Sequence, residues 1–446
     1  MKSVIFMDNF RGFKDCIVDF AQVSFLVGEN SSGKSSLLAA AHMLLSEGFW
    51  VNPDFNSLGH ELGTFDELIS RVTDSRKEFT LGCVSLNPKN SAKPFAAVMS
   101  FQEKNGLPRI SRCTFLHEKN VVTFYSHGSN YWWVNHGGTH TEFDESYAPL
   151  LENIVFLHRG VKSGAGKILT KKRQSDRYLL LTIAHEISRA IEKNNPSEVD
   201  AYWDFLSDDS FVNGTWFAPI RAEPRRIYER PIDVGFSPAG RHTPYLLKNI
   251  IQDRSKNNFA KNAMTMLKSF GQRSGLFDDL RVETFGSSSA APFSLSVKVN
   301  GNFFHLDEVG YGVSQVLPIV AEMFATTGSP SYFMQQPEVH LHPKAQAELG
   351  TAIYIYAAHI ENTLIVVETH SDYLIDRLRS SIREDYLDIS SAVDAAIFWC
   401  ERIDGINHVH KIEIDQNGSL PIDVPESYRK FFLDEALRGL GLDASN

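Results

Sequence analysis

Residues 28–36 read GENSSGKSS and have the types needed to hold a polyphosphate. Glycine at 28 and 33 allows a tight backbone wrap, so that N–H groups at a helix N-terminus can bind an anion. Lys34 would place a positive charge on the outer phosphates, and the Ser35 hydroxyl would bind Mg²⁺. We therefore expect ATP and Mg²⁺ here, with contacts from Gly28, Glu29, Asn30, Ser31, Ser32, Gly33, Lys34, Ser35 and Ser36.

A strand and a helix flank this loop in the sequence. The apolar run at residues 22–27 predicts a buried strand that leads directly into Gly28. Residues 35–47 carry leucine and alanine at helical spacing, and we expect the helix to stop at Gly48. This strand–loop–helix setting is what a phosphate-binding loop requires, and it argues against a chance glycine turn.

A second motif begins with the apolar strand at Tyr332 and reads YFMQQPEVHLHP. In P-loop ATPases such a strand ends in a carboxylate that holds the Mg²⁺ shell, and a second carboxylate polarises the attacking water. Here Gln335 takes the Mg²⁺-shell position and Gln336 the water position, and an amide cannot act as a base. Glu338 is the nearest carboxylate and therefore our candidate for the catalytic base.

A third motif delivers a histidine to the end of another apolar strand. Residues 363–374 read TLIVVETHSDYL, with His370 just after the strand. Ligands of open α/β sheets bind at the carboxyl ends of the strands. His370 is therefore a candidate to contact the γ-phosphate and to sense its loss.

A fourth motif, LDEVGYGVSQVLP at residues 306–318, places glycines before a polar helix start. The candidate residues are Gly312, Ser314 and Gln315, at a helix N-terminus suited to an anion. The pattern does not complete the GxSxG elbow of a serine hydrolase.

The remaining sequence indicates which elements position these motifs. Short alternating runs between residues 79 and 134 predict an antiparallel meander, and residues 176–270 are predicted to be mostly helical. Asn300-Gly301 predicts a hairpin, and the last third alternates strands with helices. We expect three parts: an N-terminal lobe at 1–157, a helical insertion at 158–275 and a C-terminal lobe at 276–446.

Composition limits the partners. The 446 residues carry a net charge of −10, which counts against tight non-specific DNA binding. Locally basic segments at 159–177 and 221–230 nevertheless leave a DNA or RNA ligand open. The sequence has no long apolar run, no signal-peptide pattern and only four scattered cysteines. We expect free thiols and a cytoplasmic protein that does not contact membranes.

Together the four motifs resemble those of ABC-like ATPases of the SMC, RecF and OLD type. The resemblance is to a bacterial AAA-type branch with a PE-x-HLHP box, carried by FRGF, GENSSGKSSLL, PIRAEPRRIY, VGYGVSQVLP, QQPEVHLHPKAQAELG and VETHSDYLIDRLR. It covers roughly residues 1–75 and 215–446. It implies an α/β fold: an ABC-type P-loop ATPase head with an antiparallel β-subdomain and a helical insertion.

The resemblance also implies how the site works. Two heads dimerise around ATP, so Gly312, Ser314 and Gln315 would reach the nucleotide of a partner subunit, in a homodimer or larger homo-oligomer. His370 would be the switch histidine. Residues after Glu338 would face the dimer. Related proteins commonly carry acids at Gln335 and Gln336. A naturally slow switch, Glu338 as substitute base, or an engineered trap would each explain the amides, and we favour slow hydrolysis assisted by Glu338.

Three functions remain open from the sequence. The first is an ATPase switch of an anti-phage defence system, similar to Septu, PARIS or OLD ATPases, that controls a separate nuclease or toxin effector. The second is a non-hydrolysing, ATP-gated scaffold. The third is a DNA-repair head of RecF type, against which the acidic net charge counts. A transporter ATPase is disfavoured, because the signature lacks the LSGGQ form.

Overall fold

The computed structural model describes residues 2–56, 59–72, 76–86, 94–117, 120–128, 130–138, 147–171, 212, 214–229, 235–253, 255, 257–288, 290–325, 331–360, 362–385 and 393–430. The two helices predicted between residues 176 and 206 therefore lie entirely outside the described residues. The chain forms two compact units. Unit 1 is Met1–Gln22, Gly28–Gly214 and Trp399–His410, and unit 2 is Val23–Val27, Thr215–Phe398 and Lys411–Asn446.

The strands are, in chain order, β1 Lys2–Asp8, β2 Cys16–Phe20, β3 Val23–Gly28, β4 Glu78–Leu86, β5 Phe95–Lys104, β6 Leu107–His117, β7 Asn120–His127, β8 Asn130–Gly138, β9 Lys167–Lys171, β10 Thr215–Phe217, β11 Asp279–Thr284, β12 Phe293–Val299, β13 Asn302–His305, β14 Tyr332–Gln335, β15 Ile365–Glu368, β16 Ala395–Ile403 and β17 Ile406–Ile414. The helices are α1 Lys34–Leu44, α2 Glu47–Val51, α3 Phe65–Leu68, α4 Ala148–Gly160, α5 Thr243–Asp253, α6 Asn258–Ser274, α7 Tyr311–Ala325, α8 Pro343–His359 and α9 Asp372–Asp385.

Unit 1 is built on an eight-stranded antiparallel sheet in the order β2-β1-β4-β5-β6-β7-β8-β9. Strand residues alternate between its two faces, as the period of two in the sequence predicts. On one face Val84 and Val98 pack with Leu151 and Ile154 of α4. On the other, Phe79 stacks on Phe101 with ring centroids 5.1 Å apart. The predicted antiparallel meander is therefore confirmed.

Unit 2 contains the parallel strands, whose sheet has the order β10-β14-β15-β3-β16-β17. Strand β3 pairs in parallel with β15, and β15 pairs in parallel with β14. Helix α6 contacts α5, α7 and α8. A separate antiparallel sheet, β11-β12-β13, contains the predicted hairpin, where Asn300 and Gly301 both have positive φ of 50° and 86°. Such a pair matches the turn that joins two twisted strands.

The expected end of the first helix is wrong. Helix α1 ends at Leu44, and Gly48 lies inside the next helix, α2. The chain leaves the helix because Ser46 adopts an extended conformation and donates its hydroxyl to the carbonyl oxygen of His42. Local competition by a serine side chain thus ends the helix before the glycine does.

The predicted fold class, α/β with a P-loop and an antiparallel β-subdomain, is confirmed, whereas the three-part division at 157 and 275 stays a prediction. All four cysteines are free thiols, as expected. Within the described ranges, no helix combines the length and apolar character that crossing a membrane would need.

Candidate nucleotide-binding site

The loop after β3 has the backbone shape that its sequence predicts. Ser31 and Gly33 have positive φ of 64° and 92°, and Gly33 is the residue that precedes α1. A β-carbon on Gly33 would lie 2.5 Å from Nδ2 of Asn407 and 2.8 Å from the ring of Phe13. A β-carbon on Gly28 would collide with the carbonyl oxygen of Cys400. Both glycines are therefore required by sterics as well as by backbone conformation.

Lys34 lies inside this loop. Its Nζ donates to the carbonyl oxygens of Gly28 and Glu29, at 2.8 and 2.6 Å. The Ser32 hydroxyl also donates to the Glu29 carbonyl oxygen, at 2.8 Å. Because these carbonyls are held by the loop's own side chains, the loop is a preorganised ring around a buried ammonium group, which suits an anion.

Several side chains of the loop are open to solvent. Glu29, Asn30, Ser31 and Ser35 are exposed, and Ser36 is half-buried. Ser35 lies in the first turn of α1, where N–H groups have no intrahelical acceptor and the helix dipole favours negative charge. The residues present therefore fit a polyphosphate.

The donor set for a cation is small. In the part of the chain that the structure describes, no group of three or more His, Cys, Asp or Glu side chains could hold a metal ion. Mg²⁺ in nucleotide sites is held by one or two protein oxygens together with phosphates and water. Ser35, in unit 1, offers a hydroxyl of that kind, and half-buried Gln335, in unit 2, offers an amide oxygen; that both hold one ion stays a prediction.

In unit 2 the ends of β14 and β15 are joined by backbone hydrogen bonds. Gln335 lies opposite Glu368 in the sheet register, and the Gln336 N–H donates to the Glu368 carbonyl oxygen at 2.8 Å. Gln336 has a positive φ of 44°, which turns the chain sharply out of the strand. This turn leads directly to Glu338.

Glu338 bridges the two strand ends. Its Oε1 accepts a hydrogen bond of 2.7 Å from the N–H of His370, and the Thr369 hydroxyl also donates to this carboxylate. Only 8% of Glu338 is exposed. Burial raises the pKa of its carboxyl above the ordinary value, while these hydrogen bonds and the charge of Arg221 act in the opposite direction. The His370 residue itself is exposed. Candidates Glu338, Gln336 and His370 thus lie together.

The predicted signature residues occupy the first turn of α7. The Ser314 hydroxyl donates to the Tyr311 carbonyl oxygen at 2.8 Å. Ser314 lines one cavity of about 1220 Å³, and Gly312 lines another of about 580 Å³ together with His340. Gln315 differs, because it is fully buried and its Oε1 accepts from the N–H of Arg221. The role of these residues towards a partner's nucleotide stays a prediction, and Gln315 faces the interior of its own chain.

Two residues of the site were missed by the sequence reasoning. Arg221 was counted in a basic segment, 221–230, but only 2% of it is exposed. Asn407, which lies against Gly33, belongs to no motif. Arg221 lies in PIRAEPRRIY, one of the segments that carry the family resemblance, and could have been singled out on that ground. The residues around Asn407 contain no pattern that distinguishes it from an ordinary turn residue.

The phosphate loop, its flanking strand and helix, and the parallel strands define a P-loop ATPase domain. Residues 152–376, just over half of the chain, match the family described as AAA domain, putative AbiEii toxin, Type IV TA system. The chain belongs to this family. Residues 1–201 also match the AAA ATPase domain.

Two solved structures are similar to the chain over nearly its whole length. One is the Smc head domain from Pyrococcus furiosus, with an extended coiled coil and bound to the C-terminal domain of ScpA: 10% identity, TM-score 0.41, 98% of each chain covered. The other is the SMC head domain from Thermotoga maritima: 12% identity, TM-score 0.36, covering 93% of this chain and 99% of that one. Among curated proteins, none matches.

Proposed function

We propose that this ATPase is a nucleotide-gated switch: it binds ATP with Mg²⁺ at residues 28–36, hydrolyses it slowly, and acts as a cytoplasmic homodimer or larger homo-oligomer. We further propose that it is the ATPase subunit of a bacterial anti-phage defence system and controls a separate nuclease or toxin effector. The proposal that the protein binds ATP is supported by the conformation of this loop, in which the Lys34 Nζ donates hydrogen bonds to the carbonyl oxygens of Gly28 and Glu29.

The hydrolytic residues in this proposal come from unit 2. Glu338 Oε1 is held by the His370 N–H, whereas Oε2 has no hydrogen-bond partner among the described residues. Oε2 is buried as well as unpartnered, and in this proposal it takes the proton of a water molecule that enters the site with ATP. Gln335 would contribute to the Mg²⁺ shell, Gln336 would orient water without accepting its proton, and bound Mg²⁺ would supply charge neutralisation. Turnover is slow because the base is displaced from the usual strand-end position.

Dimerisation in this proposal depends on the first turn of α7. Half-buried Gly312 and buried Ser314 each border a cavity, and in this proposal those cavities admit a ligand brought by a second subunit. A helix N-terminus favours the negative charge of a triphosphate. His370, exposed beside Glu338, would report the loss of the γ-phosphate.

ATP turnover and sedimentation of the purified protein test this function. We expect slow phosphate release that Glu338→Gln abolishes, with ATP binding retained. Glu413→Gln, an exposed carboxylate of β17 paired with Lys411, is the matched control and should leave turnover unchanged. ATP should drive self-association that Ser314→Arg blocks. An ATP-bound protein that stays monomeric would contradict the switch.

A second candidate, the non-hydrolysing scaffold, is favoured by the amides of Gln335 and Gln336. It predicts ATP-dependent assembly with no phosphate release in either wild type or Glu338→Gln. The RecF-type alternative predicts salt-dependent DNA binding by the protein alone, which we do not expect at a net charge of −10.

The cellular role needs its own experiment. The family description names a putative toxin of a toxin–antitoxin system, which supports a link to growth arrest. We expect cells carrying the gene with its neighbours to reduce phage plating, and Lys34→Met to remove that protection. If Lys34→Met protected cells as well as wild type does, the defence role would not depend on ATP binding at residues 28–36.

A further inference from the structure

The larger cavity of unit 2 extends well beyond Ser314. Its volume is about 1220 Å³, and it is lined by residues of the segments 222–229 and 235–247, by Leu295 and Leu306, and by α7. We call it the α5–α7 cavity, because it lies between the start of α5 and the first two turns of α7. Pockets for small organic ligands measure about 300–1000 Å³, so this cavity has room for a ligand of nucleotide size.

The walls of the α5–α7 cavity are held together by the chain's own contacts. The Ala222 N–H donates to the carbonyl oxygen of Ala239 at 2.7 Å, which joins the two wall segments. Gly240 has a positive φ of 75°, and a β-carbon on it would lie 2.5 Å from Cγ of Pro318. Pro318 follows Ser314 by one turn of α7, so the turn before α5 packs directly against this helix. The cavity is therefore shaped without a ligand, as a binding site requires.

Three donor side chains that line this cavity have no partner in the described part of the chain. Arg225 and Arg241 are exposed, and neither guanidinium forms a hydrogen bond or an ion pair with a described residue. The Thr243 hydroxyl is different, because only 4% of this residue is exposed and its Oγ1 has no hydrogen-bond partner among the same residues. A buried hydroxyl without a partner is unfavourable, and a ligand oxygen in the cavity would satisfy it.

The rest of the lining indicates the chemistry of the ligand. Arginine binds phosphate oxygens in pairs, so two unpaired guanidinium groups suit a phosphate-bearing molecule. The exposed carboxylates of Glu223 and Glu229 also line the cavity. They would repel a simple polyanion, but a carboxylate accepts hydrogen bonds from ribose hydroxyls. The half-buried ring of Tyr245, with Leu247 and Leu295, offers an apolar wall for a flat base. A nucleotide uses all three kinds of surface.

We propose that the α5–α7 cavity binds the phosphate groups of a nucleotide through Arg225, Arg241 and Thr243, at a site separate from residues 28–36. The nucleotide comes either from solution or from the phosphate loop of a second copy, whose triphosphate then enters beside Ser314. The second source rests on the proposed homodimer, and the first does not.

ATP binding and sedimentation of the full chain test this site and distinguish the two sources. If the nucleotide comes from solution, calorimetry should find two ATP per chain in wild type. It should find one in Lys34→Met and one in the double variant Arg225→Gln/Arg241→Gln. If it comes from a second copy, wild type should bind one ATP per chain. The double variant should then bind that ATP with wild-type affinity but need at least tenfold more ATP to self-associate.

The matched control is Arg76→Gln/Arg109→Gln, which removes two exposed arginines of unit 1 and should leave both measurements unchanged. An Arg225→Gln/Arg241→Gln variant that matches wild type in ATP stoichiometry and in self-association would overturn the proposal. If wild type does not self-associate with ATP, the proposed switch fails, and the count of ATP per chain still decides whether the cavity is a site.

Thr243→Val tests the buried hydroxyl, because it keeps the shape of the side chain and removes only its polar atom. We expect at least threefold weaker binding of the second ATP, or at least a threefold higher ATP concentration for self-association, with binding at residues 28–36 unchanged. Wild-type values in Thr243→Val would remove Thr243 from the site.

Discussion

The side chain of Asn407 lies directly against Gly33, with its Nδ2 atom 2.5 Å from the position that a β-carbon on residue 33 would take. The same Nδ2 donates to the carbonyl oxygen of Arg11, and the Asn407 N–H donates to that of Gly12. Asn407 therefore fixes the turn at residues 10–13 and closes off the space behind the phosphate loop. The loop's shape depends on this long-range contact as well as on its own sequence.

Gly33→Ala should disrupt nucleotide binding. The new methyl group meets Asn407 and Phe13, and an alanine at φ 92° adds about 1–2 kcal/mol of backbone strain. We expect at least a tenfold weaker affinity for ATP by calorimetry. Gly106→Ala is the matched control, because residue 106 also has a positive φ but a β-carbon there meets nothing within 4 Å. Unchanged ATP affinity in Gly33→Ala would show that the loop tolerates a side chain.

Lys34→Met tests the charge at the centre of the loop. The change keeps a long apolar side chain but removes the ammonium group that bonds Gly28 and Glu29. We expect ATP affinity to fall at least tenfold, or about 1.4 kcal/mol. Lys268→Met in α6, which breaks the ion pair of Lys268 with Asp279 of β11, should bind ATP as wild type does. Equal affinities of wild type and Lys34→Met would contradict ATP binding at this loop.

Local patterns were sufficient to predict part of this fold. The period-two alternation between residues 79 and 134 predicts the meander, and Asn300-Gly301 predicts the separate hairpin of β12 and β13, because both signals lie in neighbouring residues. The end of α1 at Leu44 was missed, since a Ser46 side chain competes there with the helix. Asn407 and Arg221 could not be assigned from the sequence. Asn407 and Arg11 are 396 positions apart, and no local pattern encodes such a contact.

Gln336→Glu should raise the rate of ATP hydrolysis. Residue 336 leaves β14 through a left-handed turn, and a carboxylate there could accept a proton that the amide cannot. General-base catalysis contributes roughly 100-fold or more, so we expect at least a tenfold increase in phosphate release. Gln272→Glu, at an exposed position of α6, should have no effect. A rate that does not rise would mean that residue 336 does not reach the attacking water.

Acid should destabilise the protein through His158. This side chain is 1% exposed and hydrogen-bonded to the hydroxyls of Ser100 and Thr114. Burial, with the charges of Arg112 and Arg159, lowers its pKa well below the ordinary value. Below about pH 6.5 the imidazole of residue 158 binds a proton in the unfolded chain but not in the folded chain. The contribution of His158 to the free energy of unfolding is therefore complete above that pH and decreases below it.

Urea unfolding at pH 7.5, 6.5 and 5.5 measures this effect. Wild type should have the larger free energy of unfolding at pH 7.5. Its difference from that of His158→Gln should fall by up to about 1.4 kcal/mol per pH unit below 6.5. His359→Gln, at an exposed position of α8, is the control and should track wild type. If the free energies of unfolding of wild type and His158→Gln fell equally with pH, His158 would not be the cause of the loss of stability in acid.

Strand β3 has a consequence for synthesis of the protein on the ribosome. It lies between β15 and β16, with Val23 opposite Ile365 and its N–H bonded to the carbonyl oxygen of Asp394. The nascent chain therefore emerges with this apolar strand long before either neighbour exists, and its unpaired edges are open to wrong pairing. Asn407, which shapes the phosphate loop, is made later still. We therefore expect the loop to bind nucleotide only after residue 407 has been synthesised, and fragments that end before it not to compete for ATP.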